Sequence, residues 1–151
     1  MKLSRRPRRL RDLKTAKSMV RECELKKEDL ILPVFVSDHC KSKESIESMP
    51  EVYRWSIDEL LLQIESWHKI GINAFALFPC VENQKKCPLG KESLNLDSVC
   101  YRAAKKIKEN FPDILLIADL ALDPFTDHGH DGILDALGKV DNDLTVDVLC
   151  K

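Results

Sequence analysis

The sequence predicts an α/β fold in which parallel strands alternate with helices. Three apolar runs have the length and composition of buried strands, at residues 30–36, 72–78 and 114–118. Between them lie two segments whose apolar residues recur at helical spacing. This order is typical of parallel strands joined by right-handed crossovers. The length of 151 residues allows one domain with a real core, and the content of 44% apolar and 32% charged residues is typical of soluble globular proteins.

We interpret residues 1–25 as an N-terminal arm and residues 26–151 as the folded part. The arm contains a basic cluster, Arg5-Arg6-Pro7-Arg8-Arg9-Leu10-Arg11, followed by a polar, weakly helical stretch. It lacks the interleaved aromatic residues of nucleic-acid-binding segments, and the formal net charge of the chain is only −1. We therefore expect the arm to contact another subunit or to be a solvated tail.

The first strand and the first helix have clear local signals. Pro33 counts against a regular central strand at residues 30–36, because proline cannot donate to the ladder. Ser56 and Glu59 form a capping box, in which each side chain satisfies a backbone amide at the helix start. Gly71 supplies a left-handed stop after apolar positions at helical spacing, which are Ile57, Leu60, Leu61, Ile64, Trp67 and His68.

The second strand, residues 72–78, is expected to close at Pro79. The following helix should end at Pro112, and its apolar stripe consists of Val99, Cys100, Ala103, Ile107 and Phe111. The third strand, residues 114–118, is expected to be buried, with Pro124 as the stop behind it.

The C-terminal residues predict a hairpin and a short helix. Residues 133–140 should form a short hairpin or lid that turns at Gly138, and Asp141 and Asp143 offer N-caps to a helix. The inner side of that helix is predicted to carry Leu144, Val146, Val148 and Leu149. Because no strand follows before Lys151, we expect the sequence to be the front part of a longer protein.

The residues best suited to chemistry lie at 119–132, directly behind the third strand. This stretch gathers carboxylates and imidazoles, namely Asp119, Asp123, Asp127, His128, His130 and Asp131. Side chains alternate along a strand, so Asp119 and Asp123 should continue the face that carries Leu115 and Ile117. Catalytic groups of α/β folds stand at this C-terminal end of the strands. Asp-Pro and Asp-Gly are also common turn formers, which is the alternative for Asp123 and Asp131.

The residues alone leave the role of the two histidines open. His128 and His130 could be metal ligands, which would favour a metal-dependent hydrolase that also uses Asp119 and Asp131. They could equally support other ligands by hydrogen bonding. The six cysteines form no C-x-x-C pair and are expected to be reduced thiols. Metal binding by His39 and Cys40, or by Cys80 and Cys87, is the less favoured alternative.

Composition argues against a membrane or secreted protein. No apolar run approaches the roughly 20 residues of a membrane span, and the N-terminus lacks the apolar segment of a secretory signal. We expect a cytoplasmic protein that binds neither membrane nor nucleic acid.

Several segments resemble the porphobilinogen synthase family, also called 5-aminolevulinate dehydratase. The arm resembles the family's arginine-rich N-terminus at residues 8–11, and residues 30–36 resemble its first strand. Residues 48–54 are similar to its Met-Pro-Gly-Val-Tyr-Arg segment, although Glu51 stands where the family usually has glycine. The third strand and its loop are the most specific match. The resemblance implies a TIM (β/α)8 barrel, of which this chain would supply the N-terminal arm and three strands.

The resemblance implies an enzyme that condenses two 5-aminolevulinate molecules to porphobilinogen in tetrapyrrole and heme biosynthesis. Asp119 matches the family's catalytic aspartate, which can hold the substrate ammonium or assist proton transfer. Two lysines of the family form Schiff bases with the substrate ketones, and they lie on later strands. Lys139 and Lys151 are not their counterparts, so we expect the 151-residue chain to be inactive alone.

The resemblance also implies a metal and an assembly. Three cysteines hold catalytic zinc in one branch of the family, at positions that fall here on Ala121, Asp123 and Asp131. Carboxylates suit Mg²⁺ better than zinc, so we expect Mg²⁺, at an allosteric site, and no catalytic zinc. The family is a homo-octamer stabilised by the arm. A truncated, non-catalytic interaction module is the alternative.

Overall fold

The computed structural model of the chain describes residues 4, 8–39 and 41–151. Cys40 and part of the predicted arginine cluster, residues 5–7, lie outside the described residues. The described part of the arm contains two short helices, α1 (Arg9–Asp12) and α2 (Lys14–Met19). Residues 10–25 are exposed apart from Ala16, so this segment contributes little to the core. A subunit contact through the arm stays a prediction.

A five-stranded sheet with the order β2-β3-β1-β4-β5 forms the centre of the fold. The strands are β1 (Ile31–Ser37), β2 (Lys43–Ser45), β3 (Tyr53–Trp55), β4 (Ala74–Cys80) and β5 (Leu115–Ala118). β1 runs parallel to β3 and β4, and β4 runs parallel to β5, whereas β2 is antiparallel to β3. The predicted set of three neighbouring parallel strands is confirmed, and the β2–β3 pair was not predicted.

The described part of the chain has three longer helices, α3 (Ile57–Lys69), α4 (Val99–Asn110) and α5 (Asn142–Leu149), of which α3 and α4 pack against the sheet. Short 3-10 helices span Lys27–Asp29, Asn83–Lys85 and Lys91–Leu94. Each of α3 and α4 lies in the chain between two parallel strands, as the alternating pattern predicts. In the described part of the chain no helix is long and apolar enough to span a membrane.

The start of α3 confirms one half of the predicted capping box. The Ser56 hydroxyl accepts a hydrogen bond of 3.4 Å from the Glu59 amide. The Ser56 amide, however, donates to the Ser42 carbonyl at 2.8 Å, so the reciprocal contact from the Glu59 carboxylate is replaced by one from the preceding loop. Gly71 has a φ of +96°, which confirms the left-handed stop.

Two prolines lie inside strands, which corrects the prediction that Pro79 closes the second one. Pro79 pairs in register with Val36, and β4 continues to Cys80. The pairing of β4 with β5 ends at Leu77, so Pro79 faces no ladder partner on that side. Pro33 likewise precedes the pairing of β1 with β3, which begins at Phe35. Both prolines lie where a missing N–H group costs least.

The sheet has two different faces. The outer face packs against α3 and α4, and with them forms the buried core of Val34, Val36, Leu60, Ile64, Phe75, Leu77, Ala103 and Ile107. The inner face carries the alternate residues, which by strand register include Ile31, Phe35, Phe78, Leu115 and Ile117. Of these, Ile31, Leu115 and Ile117 are exposed. The expectation that residues 114–118 form a buried strand is therefore only partly correct. Ile114 is buried and Leu116 is half-buried, but β5 is an edge strand whose inner face is open.

The C-terminal region is partly as predicted. Leu134 and Val140 form an antiparallel bridge around Gly138, which confirms the hairpin. Asp141 caps α5 by accepting a hydrogen bond of 3.0 Å from the Leu144 amide. The predicted inner side of α5 is only partly correct, because Leu144 and Val146 are exposed whereas Val148 and Leu149 are half-buried. The buried residue of this helix is Thr145.

Candidate active site

A cavity of about 630 Å³ lies at the carboxyl ends of the parallel strands. It is lined by Phe35 of β1, Arg54 of β3, Phe78 and Cys80 of β4, and Asp123 of the loop behind β5. These residues lie close together because the carboxyl ends of parallel strands lie at the same edge of the sheet. Ligands of α/β folds bind at this edge. The position of the cavity therefore marks it as the candidate active site.

One wall of the cavity is an aromatic pair on the inner face. Phe35 and Phe78 are register partners in β1 and β4, and their rings stack with centroids 5.6 Å apart. Both side chains are half-buried. A stacked pair of this kind offers an apolar surface next to the charged groups of the same cavity.

The cavity contains charges of both signs. Arg54 and Lys86 supply cations, and Glu82 and Asp123 supply carboxylates. Arg54 lies 3.6 Å from the Glu44 carboxylate, which fixes its guanidinium from the side of β2.

His39, at the edge of the cavity, belongs to a chain of polar contacts. Its Nε2 atom lies 3.4 Å from the Glu44 carboxylate, and its Nδ1 atom shares a hydrogen bond of 2.5 Å with the Ser37 hydroxyl. Ser37 ends β1, so this chain of contacts connects the β1 terminus to β2. Sequence reasoning considered His39 only as a partner of Cys40 and did not find this network.

Cys80 is a neutral thiol in the cavity wall. Burial raises the pKa of Cys80 above its ordinary value, and the neighbouring Arg54 guanidinium, which hydrogen-bonds to the sulfur, opposes this rise. Cys23, Cys80, Cys87, Cys100 and Cys150 are all free, in agreement with the predicted reduced state of the cysteines.

The structure separates the three predicted aspartates. Asp123 lines the cavity, while Asp119 and Asp131 are exposed and do not line it. The predicted shared face of Asp119 and Asp123 is wrong, because β5 ends at Ala118 and the chain turns at residues 122–125. Within the described residues, none of these three carboxylates has a hydrogen-bond or ion-pair partner, so their positions depend on the backbone alone.

Both ring nitrogens of His128 make hydrogen bonds. Its Nε2 atom donates to the Pro88 carbonyl at 3.3 Å, and its Nδ1 atom accepts a hydrogen bond of 3.2 Å from the His130 amide. This pattern corresponds to a neutral imidazole with the proton on Nε2. The His130 ring lies beside it, with centroids 5.6 Å apart. His128 thus has no ring nitrogen available for a metal in this arrangement, and a supporting role for the two histidines stays a prediction.

The predicted metal ligands do not converge. Across residues 8–39 and 41–151, no group of three or more His, Cys, Asp or Glu side chains is arranged to hold a metal ion. The described residues therefore do not fit a complete magnesium or zinc site. The arrangement also gives no support to a hydrolase built on Asp119, His128, His130 and Asp131, nor to a site at Cys80 and Cys87.

One ion-pair cluster beside the cavity was not predicted. Asp38, directly after β1, accepts hydrogen bonds from Arg102 of α4 and from Lys85 at 3.3 Å. The residues on either side of Lys85, which are Gln84 and Lys86, line the cavity. These partners are 47 and 64 residues from Asp38 in the chain, so no local sequence signal could have identified them.

Comparison with known proteins assigns the family. The family model described as delta-aminolevulinic acid dehydratase matches residues 4–151. The chain belongs to the delta-aminolevulinic acid dehydratase family. The dehydratase of Bradyrhizobium diazoefficiens is 42% identical over 149 residues, which cover 99% of this chain and 42% of that protein. The dehydratase of Chlamydia pneumoniae is 43% identical, over 95% of this chain and 43% of that protein.

A solved member of the dehydratase family has the same fold. Delta-aminolevulinic acid dehydratase (porphobilinogen synthase) from Toxoplasma gondii ME49, in complex with the reaction product porphobilinogen, matches with a TM-score of 0.93 and 43% identity. The match covers 98% of this chain and 42% of that chain. The fold described above is therefore part of a TIM barrel, and the chain spans less than half the length of these dehydratases.

Proposed function

We propose that this chain is part of a porphobilinogen synthase, a lyase that condenses two molecules of 5-aminolevulinate with loss of water. The observation that carries the proposal is the structural match of 98% of this chain, with a TM-score of 0.93, to part of the Toxoplasma gondii enzyme, which was solved with porphobilinogen bound. The cavity at the carboxyl ends of β1, β3 and β4 supports it, because that edge is where barrel enzymes bind their substrates.

In this proposal the chain supplies polar and apolar surfaces of the site rather than the covalent chemistry. Asp119, which follows β5 at the same edge of the sheet but does not line the cavity, holds the substrate ammonium or accepts a proton, and Asp123 supplies negative charge to the cavity. The stacked rings of Phe35 and Phe78 provide an apolar wall that limits access of water. Schiff-base lysines are assigned to barrel strands outside these 151 residues.

The test is porphobilinogen formation by the polypeptide of family length that carries this chain. Asp119→Asn should reduce kcat/KM by at least ~100-fold, since it removes a group proposed to act on the substrate. Asp113→Asn is the matched control, because Asp113 is also exposed and precedes the same strand at its opposite end. Equal activity of the two variants would contradict the role of Asp119. Absence of activity in the wild type would favour the non-catalytic interaction module.

The proposal includes Mg²⁺ as the activating ion. Asp123 and Asp131 replace thiolate ligands by carboxylates, which bind hard cations such as Mg²⁺ in preference to zinc. Because the described residues do not form a complete site, further ligands must come from the rest of the protein. After chelation of the full-length enzyme, added Mg²⁺ should restore activity. Restoration by zinc alone would refute this part of the proposal.

The proposal also includes a homo-octameric assembly in the cytoplasm. The exposed arm, with Leu13 and Met19 facing solvent, supports a contact with another subunit, and the free cysteines are typical of a reducing compartment. Deletion of residues 1–11 should lower the oligomeric state in analytical ultracentrifugation. An unchanged octamer would identify the arm as a tail.

A further inference from the structure

The loop that follows β4 lines the candidate active site. β1 and β4 end side by side, because Ser37 and Cys80 are the last register partners of the two strands. We call residues 81–86, which come next in the chain, the cavity loop. Its polar side chains on the cavity are Glu82, Asn83, Gln84 and Lys86. Glu82 and Lys86 bring one charge of each sign to the cavity wall.

Asp38 connects the cavity loop to the end of β1 and to α4. The Oδ2 atom of Asp38 accepts a hydrogen bond of 3.3 Å from Lys85 Nζ, and its Oδ1 atom accepts one from the Arg102 guanidinium. The Asp38 side chain is 23% exposed, compared with 41% for Lys85 and 46% for Arg102. The shared carboxylate is thus the most enclosed of the three groups, and each of its oxygens has its own donor.

Two of these three groups belong to well-paired secondary structure. Arg102 lies in α4, and its Nε atom also donates to the Asp97 carbonyl at 3.0 Å, just before that helix begins. Asp38 directly follows β1, which pairs with β3 on one side and with β4 on the other. A guanidinium held at two points has already lost much of its side-chain freedom, so its bond to Asp38 costs little further entropy. Lys85 is the member of the cluster that belongs to the cavity loop.

The chain directly after the cavity loop has separate contacts, with the loop behind β5. The Cys87 amide donates to the Phe125 carbonyl at 3.2 Å, and the His128 ring donates to the Pro88 carbonyl at 3.3 Å. The ion pair at Asp38 holds the opposite side, next to β1. Loss of that ion pair should therefore displace the cavity loop without detaching the chain that follows it.

We propose that Asp38 is a positioning residue that acts through Lys85 to place the cavity loop for binding of 5-aminolevulinate. This substrate carries an ammonium and a carboxylate, and the loop presents Glu82 and Lys86 to the same cavity. Neither Asp38 nor Lys85 lines that cavity, so the effect on the substrate is transmitted by the loop backbone. This inference rests on the proposed function.

The first test compares Asp38→Asn with Asp58→Asn in the full-length protein. Asparagine keeps the shape of aspartate but removes the charge. Asp58 is the matched control, because it lines a second cavity, of about 480 Å³, together with Asp38 and Arg102. Asp38→Asn should raise KM for 5-aminolevulinate about fivefold and change kcat by less than about twofold, because partly exposed ion pairs contribute at most a factor of this size. Asp58→Asn should change neither value.

A double-mutant cycle tests whether Asp38 acts through Lys85. Lys85→Met keeps the length of the side chain but removes its charge, and it should raise KM as much as Asp38→Asn does. The double variant should have the same KM as either single variant, because both substitutions remove the same ion pair. Asp38→Glu, which keeps the charge, should return KM toward the wild-type value.

Tryptic cleavage after Lys85 or Lys86 measures the position of the loop without substrate. The amides of these two residues donate within the 3-10 turn, to the carbonyls of Glu82 at 2.9 Å and of Asn83 at 3.2 Å. This turn must open before a protease can cut it. Asp38→Asn should therefore accelerate the cleavage about fivefold, measured by mass spectrometry of the fragments, whereas Asp58→Asn should not.

The cleavage rate separates this inference from the proposed function. If the wild type makes no porphobilinogen, the proposed function fails, and the cleavage rate still decides whether Asp38 holds the loop. An unchanged KM in Asp38→Asn would overturn the inference, whether cleavage is faster or not. Additive effects of Asp38→Asn and Lys85→Met on KM would also overturn it, because Asp38 would then act without Lys85. If Asp38→Asn does not fold, Lys85→Met at the exposed partner provides the same test of KM.

Discussion

The outer and inner faces of the sheet differ in how completely this chain covers them. On the outer face, Val36 and Leu77 are buried under α3 and α4. On the inner face, Leu115 and Ile117 of β5 are exposed, and the half-buried Phe35 and Phe78 line the cavity at the strand ends. In this chain the outer face of the sheet is thus covered by helices, whereas its inner face is open.

The two faces therefore differ in what their residues do. The helix-covered outer face contains the residues that stabilise the domain, while the candidate active-site groups lie at the edge of the open inner face. Asp119 and Asp131 are exposed and unpaired within the described residues, which is typical of groups whose partners lie elsewhere. We therefore expect substitutions on the outer face to affect stability and substitutions at the inner edge to affect function.

The largest expected effect comes from one substitution made on each face. Leu77→Ala removes a side chain that is 1% exposed, and it should lower the free energy of unfolding by about 3 kcal/mol. Leu115→Ala makes the same chemical change at a side chain that is 57% exposed, and in the 151-residue chain it should cost about 1 kcal/mol or less. Urea unfolding at constant m-value measures both. Similar losses would show that the inner face is covered.

A smaller effect concerns the thiols. Because burial raises the pKa of Cys80, its thiolate fraction is low at pH 8, and iodoacetamide should modify it about tenfold more slowly than the exposed Cys23. In urea the two rates should become equal. Because the pKa of Cys80 is higher in the folded state than the value of about 8.5 in the unfolded state, the protonated thiol contributes to stability at lower pH. This contribution is lost as the pH rises above about 8.5. Equal modification rates of Cys80 and Cys23 in the native protein would contradict the burial of the Cys80 thiol.

The smallest expected effect is a gain in stability at the turn before β3. Glu51 has a φ of +63°, the one positive value among the described residues other than glycine. Val52 donates to the Met49 carbonyl at 3.1 Å, and Pro50 precedes Glu51, which is the pattern of a type II turn. Glu51→Gly should therefore raise the free energy of unfolding by about 0.5 to 1 kcal/mol. Glu47→Gly, at another exposed turn residue, is the control, and an equal gain there would refute the explanation.

Sequence reasoning was most accurate where the signal is local. Ser56 and Gly71 bound α3 as predicted, because a cap and a left-handed stop act within one turn of helix. Sequence reasoning failed where pairing with a neighbouring strand determines the bounds or the burial of a strand. Pro79 lies inside β4 because β5 has already ended on that side, and the exposure of β5 follows from its place at the sheet edge.

The candidate site was predicted only in part, for the same reason. Asp123 lines the cavity, but its face relative to Asp119 was wrong because the strand was assumed to continue beyond Ala118. The buried hydroxyl of Thr126 makes a contact within the loop, and that of Thr145 makes a contact between the loop and α5. An isolated threonine in the sequence gives no sign of such a contact.

Reductive trapping tests most directly the proposal that the Schiff-base chemistry of the enzyme depends on lysines outside these 151 residues. With 5-aminolevulinate and borohydride, the 151-residue chain should give no covalent adduct, while the polypeptide of family length should be labelled at a lysine outside residues 1–151. Lys86 is the informative position, because it is half-buried in the cavity wall. A specific adduct at Lys86, with porphobilinogen released by the chain alone, would contradict the account.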